Sequence, residues 1–374
     1  MSFRIKIFII LILLALGLGL QQYYVKSPIP RCPTYGQQFL PATFPVSHLF
    51  VGGPMATDLD SIVKKNYPSL AITLLKNLWV RDINLFFYSS EKKGPVIFDL
   101  AYQQSDGDLL PSLLAKEFSF PRLEYSLPMG GGDYGGNFLP LPGNLLAVGN
   151  TLSFPLEKFI KENFPHRIVR VNTSWLDIGH IDEIITLLPS TAKEWAPFVL
   201  IYASPQLAID ILTTNPFDPK KDFLFPLTDN AKGAIDLGEQ LDNEQRPDFI
   251  SCIPLLSRQE KEISAKLKNY CHKWQLANEQ YESIIQKDLK VLVEEIFKFT
   301  GQRPRILPLP QLFSPNHLGE IFGLETDHAL PINPNSINLL SLEKVAIIPK
   351  QFYLPFQQYM EKNLAPLELR PHFI

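Results

Sequence analysis

A histidine and an aspartate two positions apart, His180 and Asp182, follow a glycine in the run Thr173-Ser174-Trp175-Leu176-Asp177-Ile178-Gly179-His180-Ile181-Asp182-Glu183. If this backbone is extended, residues i and i+2 share a face, so the imidazole and the carboxylate point to the same side. Gly179 permits close approach of a backbone or a ligand. A structural histidine with satisfied hydrogen bonds fits the same spacing, and for an isolated His-x-Asp it is the commoner case. A second candidate is Trp79-Val80-Arg81-Asp82. An aromatic plane and a carboxylate suit a guanidinium, which needs a π face for its delocalised charge and an acceptor for its N–H fork. A surface aspartate beside a core tryptophan reads the same way. The third is Met129-Gly130-Gly131-Gly132-Asp133-Tyr134-Gly135-Gly136-Asn137-Phe138. Its glycines invite a phosphate-loop reading, but no Lys-Ser/Thr follows and dinucleotide-binding spacing is absent.

These residues need elements to hold them, and the sequence offers short strands alternating with helices. Leu70 to Leu75, Asn84 to Tyr88, Val96 to Phe98, Arg167 to Val171, Phe198 to Tyr202 and Val345 to Ile348 read as strands from their β-branched and aromatic content. Ser257 with Glu260 forms a capping box. From there Ile263, Leu267, Tyr270, Trp274, Ala277, Tyr281, Ile285, Leu289, Leu292 and Ile296 recur at helical spacing until Gly301, predicting two helices or one bent helix. The fold class is α/β, without the regular repeat of a doubly wound sheet.

Composition sets the outer limits. The 374 residues are 45% hydrophobic and give a formal charge of −3, an ordinary globular balance without the cationic face of a dedicated nucleic-acid binder. The 33 prolines favour short elements and defined turns. Arg4 and Lys6 precede an unbroken apolar run from Ile7 to Leu20, which reads as an export signal, either cleaved or kept as a membrane anchor. Residues 21–45 read as a proline-rich tether or a packed N-terminal arm, and the folded domain is expected to span 46–374. Cys32, Cys252 and Cys271 are too few for a disulfide framework. Their odd number leaves at least one free or paired with another chain, and Cys271, near Tyr270 and Trp274, reads as a small buried hydrophobe.

In this order the motifs resemble the protein-arginine deiminases of the guanidine-modifying (pentein) superfamily. The match runs through Trp79-x-x-Asp82, Val96-Ile97-Phe98-Asp99, Asp133-x-x-Gly136-Asn137 and Ser174-Trp175-Leu176-x-x-Gly179-His180-Ile181-Asp182-Glu183. It continues through Leu200 to Pro205, Leu309-Pro310-Gln311-Leu312-Phe313 and Pro334-Asn335-Ser336-Ile337-Asn338. The resemblance implies a five-bladed α/β propeller whose central funnel holds an arginine side chain of a peptide or protein. It implies that Asp82 and Asp182 grip the guanidinium nitrogens, that Trp79 and Asn137 help bind substrate, and that His180 is the general acid/base. A thiolate would attack the guanidinium carbon, ammonia would leave, and water would then release citrulline.

Two departures qualify these expectations. The family's nucleophile stands in a His-Cys-Gly-Thr-Asn motif beyond the region matching Leu367 to Ile374, and none of the three cysteines here has that context. The chain is therefore expected to be inactive as given: a truncated product, one piece of a split protein, or a pseudoenzyme that still binds arginine. Calcium-dependent members carry oxygen ligands where this sequence has Arg81, Ile83, Leu85, Leu100 and Leu139, so no metal is expected.

Overall fold

The computed structural model describes residues 37–39, 48–52, 56–75, 84–89, 94–100, 110–125, 130–164, 166–189, 198–215, 252, 265–315, 328–342 and 345–374. The N-terminal apolar run, the proline-rich tether apart from 37–39, Trp79, Asp82, Cys32 and the Ser257–Glu260 capping box lie outside them.

One local plan recurs along the chain. After β1 (Gln37–Phe39), β2 (His48–Gly52) leads through α1 (Ala56–Asn66) to a parallel β3 (Ala71–Leu75). The next stretch gives the full form of the unit. β4 (Asn84–Ser89) pairs antiparallel with β5 (Gly94–Asp99), and α2 (Leu110–Phe118) carries the chain to β6 (Arg122–Glu124), which lies parallel to β5. β1 adds to the outer side of β4, making this sheet four-stranded. The third unit repeats the plan with β7 (Phe138–Leu141), β8 (Leu145–Gly149), α3 (Phe154–Asn163) and β9 (Arg167–Val171). So does the fourth, with β10 (Ile185–Pro189), β11 (Phe198–Ser204), α4 (Pro205–Thr214) and β12 (Arg305–Pro310), but a long helix α5 (Ala265–Thr300) is inserted before β12. A two-stranded sheet of β13 (Phe313–Pro315) and β14 (Ala329–Pro331) follows. The last unit comprises β15 (Leu340–Leu342), β16 (Val345–Ile348), α6 (Leu354–Leu364) and β17 (Arg370–Phe373). The fold is thus mixed α/β, built from small sheets.

Local chemistry explains where the crossover helices begin. Ser153 and Ser204 each end a strand-to-helix turn in extended backbone. Their hydroxyls accept from the amides of Leu156 and Leu207, and a proline sits within the first helical positions of each. The serine satisfies an orphan amide and the proline removes another at no cost. β11 reads Phe-Val-Leu-Ile-Tyr-Ala-Ser and is buried along its whole length, as expected of a strand covered on both faces and paired on both edges.

The strands expected from sequence are all present within a few residues of their expected ends. The long helical periodicity resolves as a single helix, Ala265–Thr300, rather than two. Its buried stripe comprises Trp274, Tyr281, Ile285, Leu289, Leu292 and Ile296, packed in the main core with Val169, Trp175, Leu187, Leu200 and Leu309, apart from Trp274, which joins a second cluster with Leu312 and Phe356. Asn278, a polar residue inside that stripe, is fully buried. It donates to the carbonyls of Trp274 (3.1 Å) and Phe313 (2.8 Å) and accepts from the Phe313 amide (3.0 Å).

The cysteine expectation needs correction. Cys271 is buried, but it forms a disulfide with Cys252, their Cα atoms 5.2 Å apart. Spacing could not reveal this pair, because 19 positions separate the two and the helix turns Cys271 inward for the same reason it turns an apolar residue inward.

Candidate functional site

Three loops meet beside the β7–β8–β9 sheet. The first is the glycine-rich segment, which forms two short 3-10 turns, Gly131–Asp133 and Gly135–Asn137, rather than a phosphate cradle. Asp133 is buried and acts within the turn: one carboxylate oxygen accepts from the Ser153 amide (2.7 Å) and the other from the Gly130 amide (3.1 Å). Asn137 has no exposed surface and reaches across the loops. Its amide donates to the Gly132 carbonyl (2.6 Å) and to Thr151 (3.1 Å), and its oxygen accepts from the Gly149 amide (3.0 Å). The second loop, residues 149–153, joins β8 to α3.

The third loop, residues 172–180, delivers the histidine. It is anchored along its length. The Asn172 amide donates to Asp288 on α5 (2.7 Å), and the Thr173 amide donates to the Asn150 side chain (3.0 Å). Trp175 lies flat on Tyr281 of α5 with ring centroids 4.5 Å apart, meets Phe313 edge-on at 5.0 Å, and donates its indole N–H to the Asn172 carbonyl (2.9 Å). Backbone bonds with Ala329 flank Leu176: the Ala329 amide donates to the Trp175 carbonyl (2.8 Å), and the Asp177 amide donates to the Ala329 carbonyl (3.0 Å). Burial raises the Asp288 carboxyl above its ordinary range, and the Asn172 amide partly opposes that shift.

His180 then starts a 3-10 turn, Ile181–Glu183. Its backbone is extended, but the turn begins directly after it, so His180 and Asp182 are not consecutive same-side residues of a strand. Both are nonetheless buried, at 5% and 6% exposure. The Glu183 side chain accepts from the His180 amide (3.1 Å), and its carbonyl accepts from Asn335 (3.2 Å), which brings the Pro334–Asn338 motif to this turn. The His180 ring stands edge-on to Tyr134 of the glycine-rich loop at 6.2 Å. The structure therefore brings His180, Asp182 and Asn137 into one loop cluster, while Trp79 and Asp82 fall outside the described residues. Sequence reasoning missed Thr151, Thr173, Tyr134 and Asn335. Tyr134, Thr173 and Asn335 stood inside the quoted runs without a role of their own, and nothing in the spacing distinguishes Thr151.

Around Asp99 the surroundings differ. Arg122 binds its carboxylate with Nε (2.6 Å) and a terminal nitrogen (2.5 Å). Leu85, Leu100 and Leu139 are buried apolar residues, Leu85 and Leu100 in one hydrophobic cluster with Phe98. Among the described residues no group of three or more His, Cys, Asp or Glu is placed to hold a metal ion.

Comparison with known proteins adds ancestry to this geometry. The mouse (Mus musculus) protein-arginine deiminase type-4 is 26% identical over 225 residues, 59% of this chain. The chain spans 28% of that relative's length. Among solved structures, the agmatine deiminase of C. jejuni aligns over 90% of both chains with 11% identity and a TM-score of 0.46, as does a variant of it with substrate bound. The profile of the family Protein-arginine deiminase (PAD) matches residues 143–374, well over half of the chain, including α3, the His180 turn, α5 and the Gln311 and Asn335 motifs. The chain accordingly belongs to the protein-arginine deiminase family.

Proposed function

We propose that this chain recognises the guanidinium group of an arginine side chain in a peptide or protein, with Asp182 and Asp82 as its carboxylate grips, Trp79 and Asn137 beside them, and His180 as the proton-handling group. The observation that carries this reading is the burial of Asp182 two residues from the buried His180 in a member of this family. A planar guanidinium, with its fixed fork of N–H donors, fits a pair of carboxylates better than any other side-chain cation. In the family reaction two carboxylates orient a poor electrophile, a thiolate adds to its carbon, and an imidazolium protonates the departing ammonia. The residues of this sequence supply the orienting and proton-transfer groups. Cys252 and Cys271 cannot supply the thiolate, because their sulfurs are bonded to each other. Binding without turnover is thus the reading we favour over full deimination.

We further infer that the five ββαβ or βαβ units encircle the site as a five-bladed propeller; their shared topology supports this. Calcium is not part of the reading, since Arg122 already neutralises Asp99 and apolar side chains stand where oxygen ligands are needed. Export, with or without retention of the N-terminal apolar run as an anchor, is supported by the disulfide, which persists in oxidising compartments.

Calorimetry with an arginine peptide and its lysine counterpart tests the reading. Wild type should prefer arginine, and Asp182→Asn should lose on the order of tenfold or more in affinity, the worth of a charge-assisted hydrogen bond. Equal affinity for both peptides, or an unaffected variant, would remove the guanidinium site.

A further inference from the structure

His180 hangs on a backbone whose preceding residue, Gly179, has φ +80°, a conformation that gives the chain no intrinsic reason to stay in place. The constraint comes from Thr151. Its hydroxyl donates to the Gly179 carbonyl (2.9 Å) and accepts from the Asn137 amide (3.1 Å). The Thr173 hydroxyl lies 3.4 Å away, and since the one proton of Thr151 is committed to Gly179, Thr173 is the donor there. One oxygen thus joins all three loops, with every hydrogen-bonding position used.

The partners cannot drift. Asn137 is fixed by Gly132 and Gly149, and Thr173 by Asn150. A Cβ at Gly149 would stand 2.0 Å from the Asn137 oxygen and 2.3 Å from the Thr173 hydroxyl, and one at Gly132 would stand 2.3 Å from the Thr151 carbonyl. Any side chain at Gly149 or Gly132 would therefore collide with the knot.

We propose that Thr151 is a positioning residue for the guanidinium site: its hydroxyl sets the Gly179 carbonyl, and through it the orientation of His180 and Asp182, without touching the ligand. The claim rests on the guanidinium-binding reading but has a readout independent of it. In the full chain, Thr151→Val removes the hydroxyl at nearly constant shape, and Thr151→Ser keeps it. Thr151 is an exposed residue, so neither change empties the core. Phe159→Leu, in the hydrophobic cluster with Phe98 and Tyr125, serves as a control that lowers the melting temperature without removing a hydrogen bond of the knot.

Two measurements decide. The first is calorimetric affinity for an arginine peptide. The second is the set of His180 ring proton resonances, assigned with His180→Gln and sensitive to the edge-on Tyr134 ring. Thr151→Val should weaken binding about tenfold and move the ring resonances. Thr151→Ser should restore both, and Phe159→Leu should leave both as in wild type. Unmoved resonances in Thr151→Val, failure of Thr151→Ser to restore them, or an equal change in Phe159→Leu would overturn the proposal. If wild type binds no arginine peptide, the functional reading falls by itself, and the resonances still decide the role of Thr151.

Discussion

His166 sits at the start of β9 with its ring near Phe164, and burial pushes its pKa from 6.5 down to about 4. The native state therefore keeps this imidazole neutral where the unfolded chain would accept a proton. The contribution to stability is fully present above pH 6.5, shrinks as pH falls towards 4, and changes no further below that. The whole window is worth up to about 3 kcal/mol by linkage. Denaturant unfolding at several pH values should show His166→Gln with a shallower loss of stability between pH 6.5 and 4 than wild type; parallel curves would assign the slope to other groups. At Gly149 the constraint is space rather than charge. A methyl there collides with Asn137 and Thr173, so Gly149→Ala should cost about 3 kcal/mol through strain and broken hydrogen bonds. A variant that melts with wild type would show that the loop knot yields more readily than its distances imply.

At the level of elements, α5 does most to connect the parts, and its key contacts are the ones periodicity hides. Apolar spacing foretold the helix and its buried face, because a 3.6-residue repeat records which side meets the core. It did not foretell Asn278, whose three hydrogen bonds to Trp274 and Phe313 depend on a strand that lies 35 residues downstream in the chain. Replacing Asn278 with Ala should cost about 3 kcal/mol, since a buried amide and carbonyl of Phe313 lose their partner; urea titration measures it, and a cost below about 1 kcal/mol would contradict the burial. The same limit applies to the site. The His180 run was legible because a distinctive order of residues survives in one segment. The knot at Thr151 was not, because Thr151, Asn137 and Thr173 come from three loops and meet only in space. The cysteines failed for a related reason: inward spacing on a helix cannot distinguish an apolar neighbour from a sulfur partner. Closing a loop of 19 positions, the bridge should contribute about 3 kcal/mol, and the Cys252→Ser, Cys271→Ser double variant should lose that much. Mass spectrometry of the unreduced protein should find the two cysteine peptides joined.

For the molecule as a whole, family membership and the bonded cysteines pull in different directions. The chain belongs to the deiminase family, yet its two described sulfurs are unavailable as nucleophiles. Purified protein should release neither citrulline nor ammonia from arginine peptides, and replacing Cys32 should change nothing; turnover that survives loss of all three cysteines would refute the covalent logic. Calcium and a chelator should leave the melting temperature unchanged, because only a ligand that prefers the native state shifts it. A rise with calcium that the chelator reverses would place an ion where Leu85, Leu139 and the Asp99–Arg122 pair argue against one.

The insertion of α5 between β11 and β12 also bears on how the protein is made. Val199 pairs in parallel with Arg305, so β11 waits for a partner about a hundred residues later in the chain. At a synthesis rate of roughly 5–20 residues per second that interval is about 5–20 s. Throughout it, one edge of a largely apolar strand, buried in the folded protein, stands open, the kind of edge that recruits other chains. Nascent chains stalled after Ser204 but before Arg305 should bind holdase chaperones and aggregate when these are depleted, whereas chains stalled beyond Pro310 should not.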